Sequence, residues 1–325
     1  MKTLFSPLEP FDHFYLKTDH AHSIYVEQCG NPQGVPIIFL HGGPCSGCKP
    51  DHRRFFDPEY YHIILFDQRG CGRSLPFGEL AHNTLLDLIA DMERIRQHLA
   101  LESWVLFGGS WGATLALAYA QKHVKRVQAM ILRGSFLARS QDMHWFLGEQ
   151  GVSLIYPEAW QHLIDSVPTE YHTDNLIADL CATLWGNDEL AIRRVAKAWQ
   201  VWGGQVALGN AYQPYDYHLT EHDIKQVKME VYFAKNHYFL AENELLTHCE
   251  KLRHLPVTII HGRQDLVCPI EAAWQLHRAL PQANYVVLPN SGHIAQGEEM
   301  IDALVSATEA LKSLTLAIKN GSKRC

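Results

Sequence analysis

The stretch WVLFGGSWGATLALAYA, residues 104–120, decides how this chain folds. Its first four residues are aromatic, β-branched or aliphatic, the composition of a buried strand. Three glycines then surround one serine, in the order Gly108-Gly109-Ser110-Trp111-Gly112. Alanines and leucines follow, which are strong helix formers. Strand, G-x-S-x-G turn and helix in succession predict a nucleophile elbow, in which a turn too tight for neighbouring Cβ atoms presents the serine hydroxyl above a sheet. The helix N-terminus behind Ser110 favours negative charge that develops beside it.

Working outward, the runs VPIIFLHGG, YYHIILFDQRG, QAMILRGSF, VTIIHGRQD and NYVVLPNSGH are nearly continuous in apolar residues and end in glycine-bearing turns. Continuous rather than alternating runs suit strands covered on both faces. In NTLLDLIADMERIRQHLA, Leu85, Ile89, Met92, Ile95 and Leu99 keep a helical spacing, with Asn83 or Thr84 as N-cap. A second long helical pattern runs from about 296 to 318. Strands alternating with helices predict a mostly parallel α/β sheet flanked by helices. The alternation stops after Phe136 and resumes at Pro256. The expected division is therefore a core of 1–137 and 254–325, with a helical cap over 138–253 above the C-terminal edge of the sheet, where ligands bind in open α/β folds.

Composition limits the other function classes. A net charge of -7 argues against a nucleic-acid partner. The N-terminus carries Pro7 and Glu9 instead of a signal-peptide core, and PIIFL or ATLALAYA are too short to span a bilayer. A cytoplasmic protein with reduced cysteines is the expectation. The tail KNGSKRC lacks a core role. Cys45 and Cys48 form a C-x-x-C pair, but no second Cys or His partner stands at zinc spacing, and no H-E-x-x-H motif occurs. No phosphate-binding loop is present, because GCGRS lacks the required ending.

A serine needs a base, and the base an orienting carboxylate. On this architecture they follow in the order Ser, Asp, His at successive strand ends, which selects Ser110, Asp265 and His293. Asp67 precedes the serine and reads as a residue bonding its own turn, with Arg69 as a candidate partner. His41 and His261 stand before glycines and read as turn residues. The backbone N–H of Trp111 is one oxyanion donor, and the FLHGGP loop places Gly43 as the second. Residues alone therefore read as a serine hydrolase. Cys71 and Cys268 sit off the elbow and are expected as thiols near the pocket.

The ordered set HGGP, FFDPEYYHIILFDQRGCGRS, GGSWGATLALAYA, LRGSF, AKAWQVW, NHYF, HGRQDLVCP and SGH resembles the proline iminopeptidases along nearly the whole chain. That resemblance implies an α/β-hydrolase fold with a helical cap. It implies release of N-terminal proline from small peptides without metal or cofactor, and a small peptide or aminoacyl substrate. Carried over by position, Ser110, Asp265 and His293 are the triad, and Phe136, Phe239 and Cys268 surround the proline ring with Arg133 nearby. Oligomeric state is left open between monomer and homo-oligomer.

Three positions depart from the family pattern. Cys45 stands where a glycine follows HGGP, and Gly203 and Lys235 stand where two cap glutamates bind the substrate amine. Either Lys235 faces solvent in a shifted cap, or the requirement for a free amine has changed. The second case implies a serine hydrolase of the same fold acting on another amide or an ester. Glu230, Glu242 and Glu244 are the acids that could substitute.

Overall fold

The structure, a computed structural model, describes residues 1–213 and 218–321. The tail residues 322–325 lie outside them. Eight strands form one sheet: β1 (Asp12–Lys17), β2 (Ser23–Gly30), β3 (Val35–Leu40), β4 (Tyr61–Phe66), β5 (Trp104–Gly109), β6 (Val127–Arg133), β7 (Val257–Gly262) and β8 (Asn284–Leu288). Their order is β1-β2-β4-β3-β5-β6-β7-β8. β1, β2 and β4 pair antiparallel, and all pairs from β4–β3 onward are parallel. The β1–β2 hairpin is an addition to the strands expected from the sequence. β1 lies at the sheet edge with four of its six residues exposed, so its apolar signal is thin.

The continuous apolar runs have the reason anticipated for them. Ile38, Leu40, Ile64, Phe66, Leu106 and Leu132 point into one buried layer, while their neighbours Ile37, Phe39, Ile63, Leu65, Phe107 and Ile131 point into the other. Because strand side chains alternate faces, both sets must be apolar when both faces are covered.

The helices are α1 (Leu85–His98), α2 (Trp111–Lys122), α3 (Ser140–Leu147), α4 (Pro157–Ser166), α5 (Leu176–Leu184), α6 (Glu189–Leu208), α7 (Glu221–Lys235), α8 (Glu244–Thr247), α9 (Ile270–Ala279) and α10 (Glu298–Gly321). Thr84, not Asn83, caps α1: its hydroxyl accepts from Asp87 N–H while Asp87 accepts from Thr84 N–H. Asn83 instead donates to the carbonyls of Arg69 and Glu79.

Between β6 and β7 every described element is helical. α4 to α7 bury a separate core that includes Leu180, Leu184, Val195, Trp202, Val227 and Val231. The opposite side of α7 joins the main core through Met229 and Phe233. The cap residue His222 stacks on Phe77 at 3.6 Å, and Trp145 Nε1 donates to the Leu266 carbonyl at 2.8 Å. These contacts hold the helical layer over the strand ends from which the candidate residues emerge.

Candidate active site

Ser110 is the residue between β5 and α2, with φ 56° and ψ -125°. That conformation is costly for a residue with a Cβ and persists only where surrounding structure imposes it. The imposed contacts are visible: Ser110 N–H donates to the Arg133 carbonyl at 2.9 Å, and a Cβ on Gly112 would lie 2.0 Å from the Leu40 carbonyl oxygen. The helix thus starts hard against the end of β3, and only glycine fits there.

Asp265 and His293 follow β7 and β8. His293 Nδ1 lies 2.8 Å from Asp265 Oδ2. The second carboxylate oxygen accepts from the N–H groups of Val267 at 3.0 Å and Cys268 at 2.9 Å. Burial opposes the charge on Asp265, yet His293, His261 and these N–H donors hold its carboxyl below its ordinary range. His293 Nδ1 therefore serves as the donor, which leaves Nε2 on the far side of the ring to take a proton. His261 donates Nε2–H to the Cys268 carbonyl at 2.8 Å, with Asp265 Oδ2 at 3.5 Å, so it fastens the turn that carries the aspartate.

The loop after β3 is braced by a network the sequence reading did not identify. Gln68 N–H donates to His41 Nε2 at 3.0 Å, and the Gln68 side chain donates to the His41 carbonyl at 3.0 Å. Gln68 Oε1 accepts from Trp111 Nε1 at 2.8 Å. His41 Nδ1 then donates to the Gly42 carbonyl at 2.9 Å. Burial pushes the His41 pKa down, so the ring stays neutral and its tautomer is set. One glutamine links the two segments bearing Gly43 and Trp111. Asp67 bonds its own turn, but its partner is Arg73 at 2.8 Å, whereas Arg69 pairs with Asp91 at 2.6 Å.

A cavity of about 110 Å³ opens at Ser110. Gly43 and Pro44 form one wall, and Phe136, Met143, Phe146, Trp199, Tyr238, Val267 and Cys268 form most of the rest. Glu230 and Gly203 complete it from the cap. Cys268 neighbours Ser110, and burial together with Asp265 raises its thiol pKa well above the ordinary value. Among the described residues no cluster of His, Cys, Asp and Glu has the makings of a metal site.

This architecture has many counterparts. Residues 35–299 match the family model for the alpha/beta hydrolase fold. Solved structures of similar fold include an alpha/beta fold family hydrolase from Bacillus anthracis, with a TM-score of 0.60 and 16% identity over 92% of this chain and 100% of that one. Another is a proline iminopeptidase-related protein from Thermus thermophilus, with a TM-score of 0.55 and 19% identity over 93% and 96%. Sequence similarity is far closer to the proline iminopeptidase of Xylella fastidiosa, 42% identical over 95% of this chain and 99% of the relative. The proline iminopeptidase of Arabidopsis thaliana is 40% identical over 96% and 83%. The chain belongs to the proline iminopeptidase family of α/β hydrolases.

Within that family the residues at the departing positions sit as follows. Gly203 lines the cavity, and a Cβ built on it would meet nothing within 4 Å. Lys235 does not line the cavity; it is exposed at the end of α7. Phe239 packs against Tyr232 and Phe233 in the core, and its neighbour Tyr238 reaches the cavity instead. Arg133 is half-buried beneath the elbow, where it donates to the His293 carbonyl and touches the space beside Gly109. Phe136 and Cys268 line the cavity, and Cys71 does not. Cys45 is buried with φ 81°, directing its thiol to the Gly70 carbonyl, while the Cys48 thiol faces the Phe66 carbonyl. The two cysteines serve different neighbours.

Of the three acids named as substitutes, Glu242 binds Ser140 and Glu244 binds Ala241 N–H, both outside the cavity. Glu230 alone reaches it. A helical projection carries the signal for this. Val227, Glu230, Val231 and Ala234 share one face of α7, and an acid within an apolar stripe is the residue to question.

Proposed function

We propose that the chain is a serine aminopeptidase of the proline iminopeptidase type, releasing N-terminal proline from small peptides. Residues 138–253 act as its cap domain and 1–137 with 254–325 as its core. The observation that carries this reading is the Asp265–His293 pair at 2.8 Å, held at the ends of β7 and β8 beside the cavity that opens at the Ser110 elbow.

Ser110 attacks the carbonyl of the first residue while His293 Nε2 takes its proton. The oxyanion that forms is met by the Trp111 N–H, which as the first residue of α2 has no carbonyl one turn back to bond, and by Gly43 N–H. His293 then returns the proton to the leaving amine, and water hydrolyses the acyl-enzyme by the same steps in reverse. A small apolar cavity suits a prolyl ring, and the cap above it limits what can enter. These roles draw on the chain's own side chains and backbone.

The reading of another amide or ester substrate drew on Gly203 and Lys235 standing in place of two cap glutamates. With Lys235 exposed outside the cavity, its part of that motive falls away, while Gly203 lines the cavity and keeps the other part. Hydrolysis of prolyl-β-naphthylamide by the wild type, abolished in Ser110→Ala, is the expected result. A protein whose Ser110 reacts with a fluorophosphonate but which turns over no aminoacyl amide would refute the proposal.

A further inference from the structure

Gly203 is a glycine that the packing of its own helix does not require. It lies inside α6, where glycine is a poorer choice than alanine because it has more backbone freedom to lose. Its backbone is helical, so no left-handed conformation calls for it. The adjacent Gly204 does have a steric reason, since a Cβ there would lie 2.6 Å from a ring carbon of Tyr212. A Cβ on Gly203 meets nothing within 4 Å, and this residue faces the cavity at Ser110. The missing side chain therefore leaves its space to the cavity.

The walls on this side are apolar and partly fixed. Trp199, one turn earlier on α6, lines the cavity and meets Phe146 edge-on at 6.2 Å. Its indole is pinned by Glu230, which accepts from Nε1 at 2.6 Å. Met143 on α3 is the adaptable wall, because an unbranched thioether with three rotatable bonds re-packs around ligands of different outline. Resting on the aminopeptidase reading above, we propose that the space at Gly203 is a subsite for an apolar extension of the acyl residue, so that the chain releases N-terminal residues bulkier than proline, cyclic imino acids with an enlarged or fused ring. The reaction is the same: the acyl carbon bonds to Ser110 Oγ, the amide C–N bond breaks, the amine leaves with the proton from His293, and water releases the acid. Selection comes from size. A ligand that stops short of Gly203 leaves the lining atoms without contacts, and one methylene in such a pocket is worth about 10- to 200-fold in kcat/KM.

The test compares three β-naphthylamides: prolyl, piperidine-2-carbonyl with one more ring methylene, and octahydroindole-2-carbonyl with a fused second ring. The wild type cleaves both enlarged amides with kcat/KM at least equal to that of the prolyl amide. Gly203→Ala and Gly203→Leu introduce good helix formers and refill the space. In them the ratio of enlarged to prolyl kcat/KM falls about tenfold or more, further for leucine than alanine and further for the fused ring than for the piperidine. An unchanged ratio in both variants overturns the subsite. So does a wild type that cleaves the prolyl amide and neither enlarged one, with the aminopeptidase reading left intact. Wild-type protein whose Ser110 labels with a fluorophosphonate yet cleaves none of the three sinks both readings. Gly203→Ala melts no lower than the wild type, because its Cβ has free space and alanine favours the helix; a lower melting temperature shows that packing does require the glycine and overturns the proposal. Should Gly203→Leu fail to fold, the ratio in Gly203→Ala decides.

Discussion

Replacing Asp265 by asparagine tests the proposed mechanism most directly, because the structure dictates which way the new amide must face. Oδ1 accepts two backbone N–H groups, from Val267 at 3.0 Å and Cys268 at 2.9 Å. The amide oxygen takes that place, since the opposite orientation sets NH2 against two donors and strands both, at about 1–3 kcal/mol each. The NH2 group then faces His293 Nδ1, where Oδ2 now accepts at 2.8 Å. A donor there forces Nδ1 to accept, so the ring proton moves to Nε2. An Nε2 already carrying hydrogen cannot take the proton of Ser110. The expected loss in kcat is about 10⁴-fold, equivalent to about 5.5 kcal/mol of barrier. Asp265 does not line the cavity, so KM for prolyl-β-naphthylamide should change little. Steady-state kinetics with a melting curve as folding control makes the measurement. A folded variant that keeps kcat within about tenfold of wild type would refute the tautomer argument and the role given to Asp265.

Other expectations follow from the same geometry. Gln68→Leu strands the His41 carbonyl and the Trp111 indole N–H, at about 1–3 kcal/mol apiece. It should lower the melting temperature by several degrees and depress kcat more than KM, and an unchanged melting curve would show the bracket is idle. Gly112→Ala drives a methyl to 2.0 Å from the Leu40 carbonyl oxygen and should abolish soluble expression or Ser110 labelling; a stable, labelled variant contradicts the packing described. Acid should weaken the fold through His52, whose pKa burial lowers from 6.5 to about 4. The unfolded chain takes up the proton first as pH falls, so this contribution is complete above pH 6.5 and is lost on the way down to about 4. Urea midpoints of His52→Gln should therefore fall less steeply with acid than those of the wild type, and parallel curves would exclude the group.

How much of this was legible beforehand depended on how local the physics was. Strands covered on both faces announce themselves as continuous apolar runs, which is why β3 to β8 were readable while the largely exposed edge strand β1 was not. Helix α1 carried its own periodicity, although which of two adjacent polar residues capped it depended on Asn83 being claimed by distant carbonyls. Asp67 had a carboxylate's need for partners written in its motif, yet whether Arg69 or Arg73 met that need depended on how the turn closed.

The sequence by itself determined the α/β-hydrolase fold, the elbow, and the order in which serine, aspartate and histidine would arrive at the strand ends. Those features follow from side-chain periodicity and from glycines that no other residue can replace. Only the tertiary structure decided what the cap presents to that centre. Gly203 and Lys235 suggested a site stripped of its carboxylates, but α7 turns Lys235 outward and brings Glu230 over the cavity, where the missing side chain of Gly203 leaves space. Helix rotation and the packing of α6 on α7 settle which residue faces inward. Both depend on contacts between segments far apart in the chain, which no local pattern records.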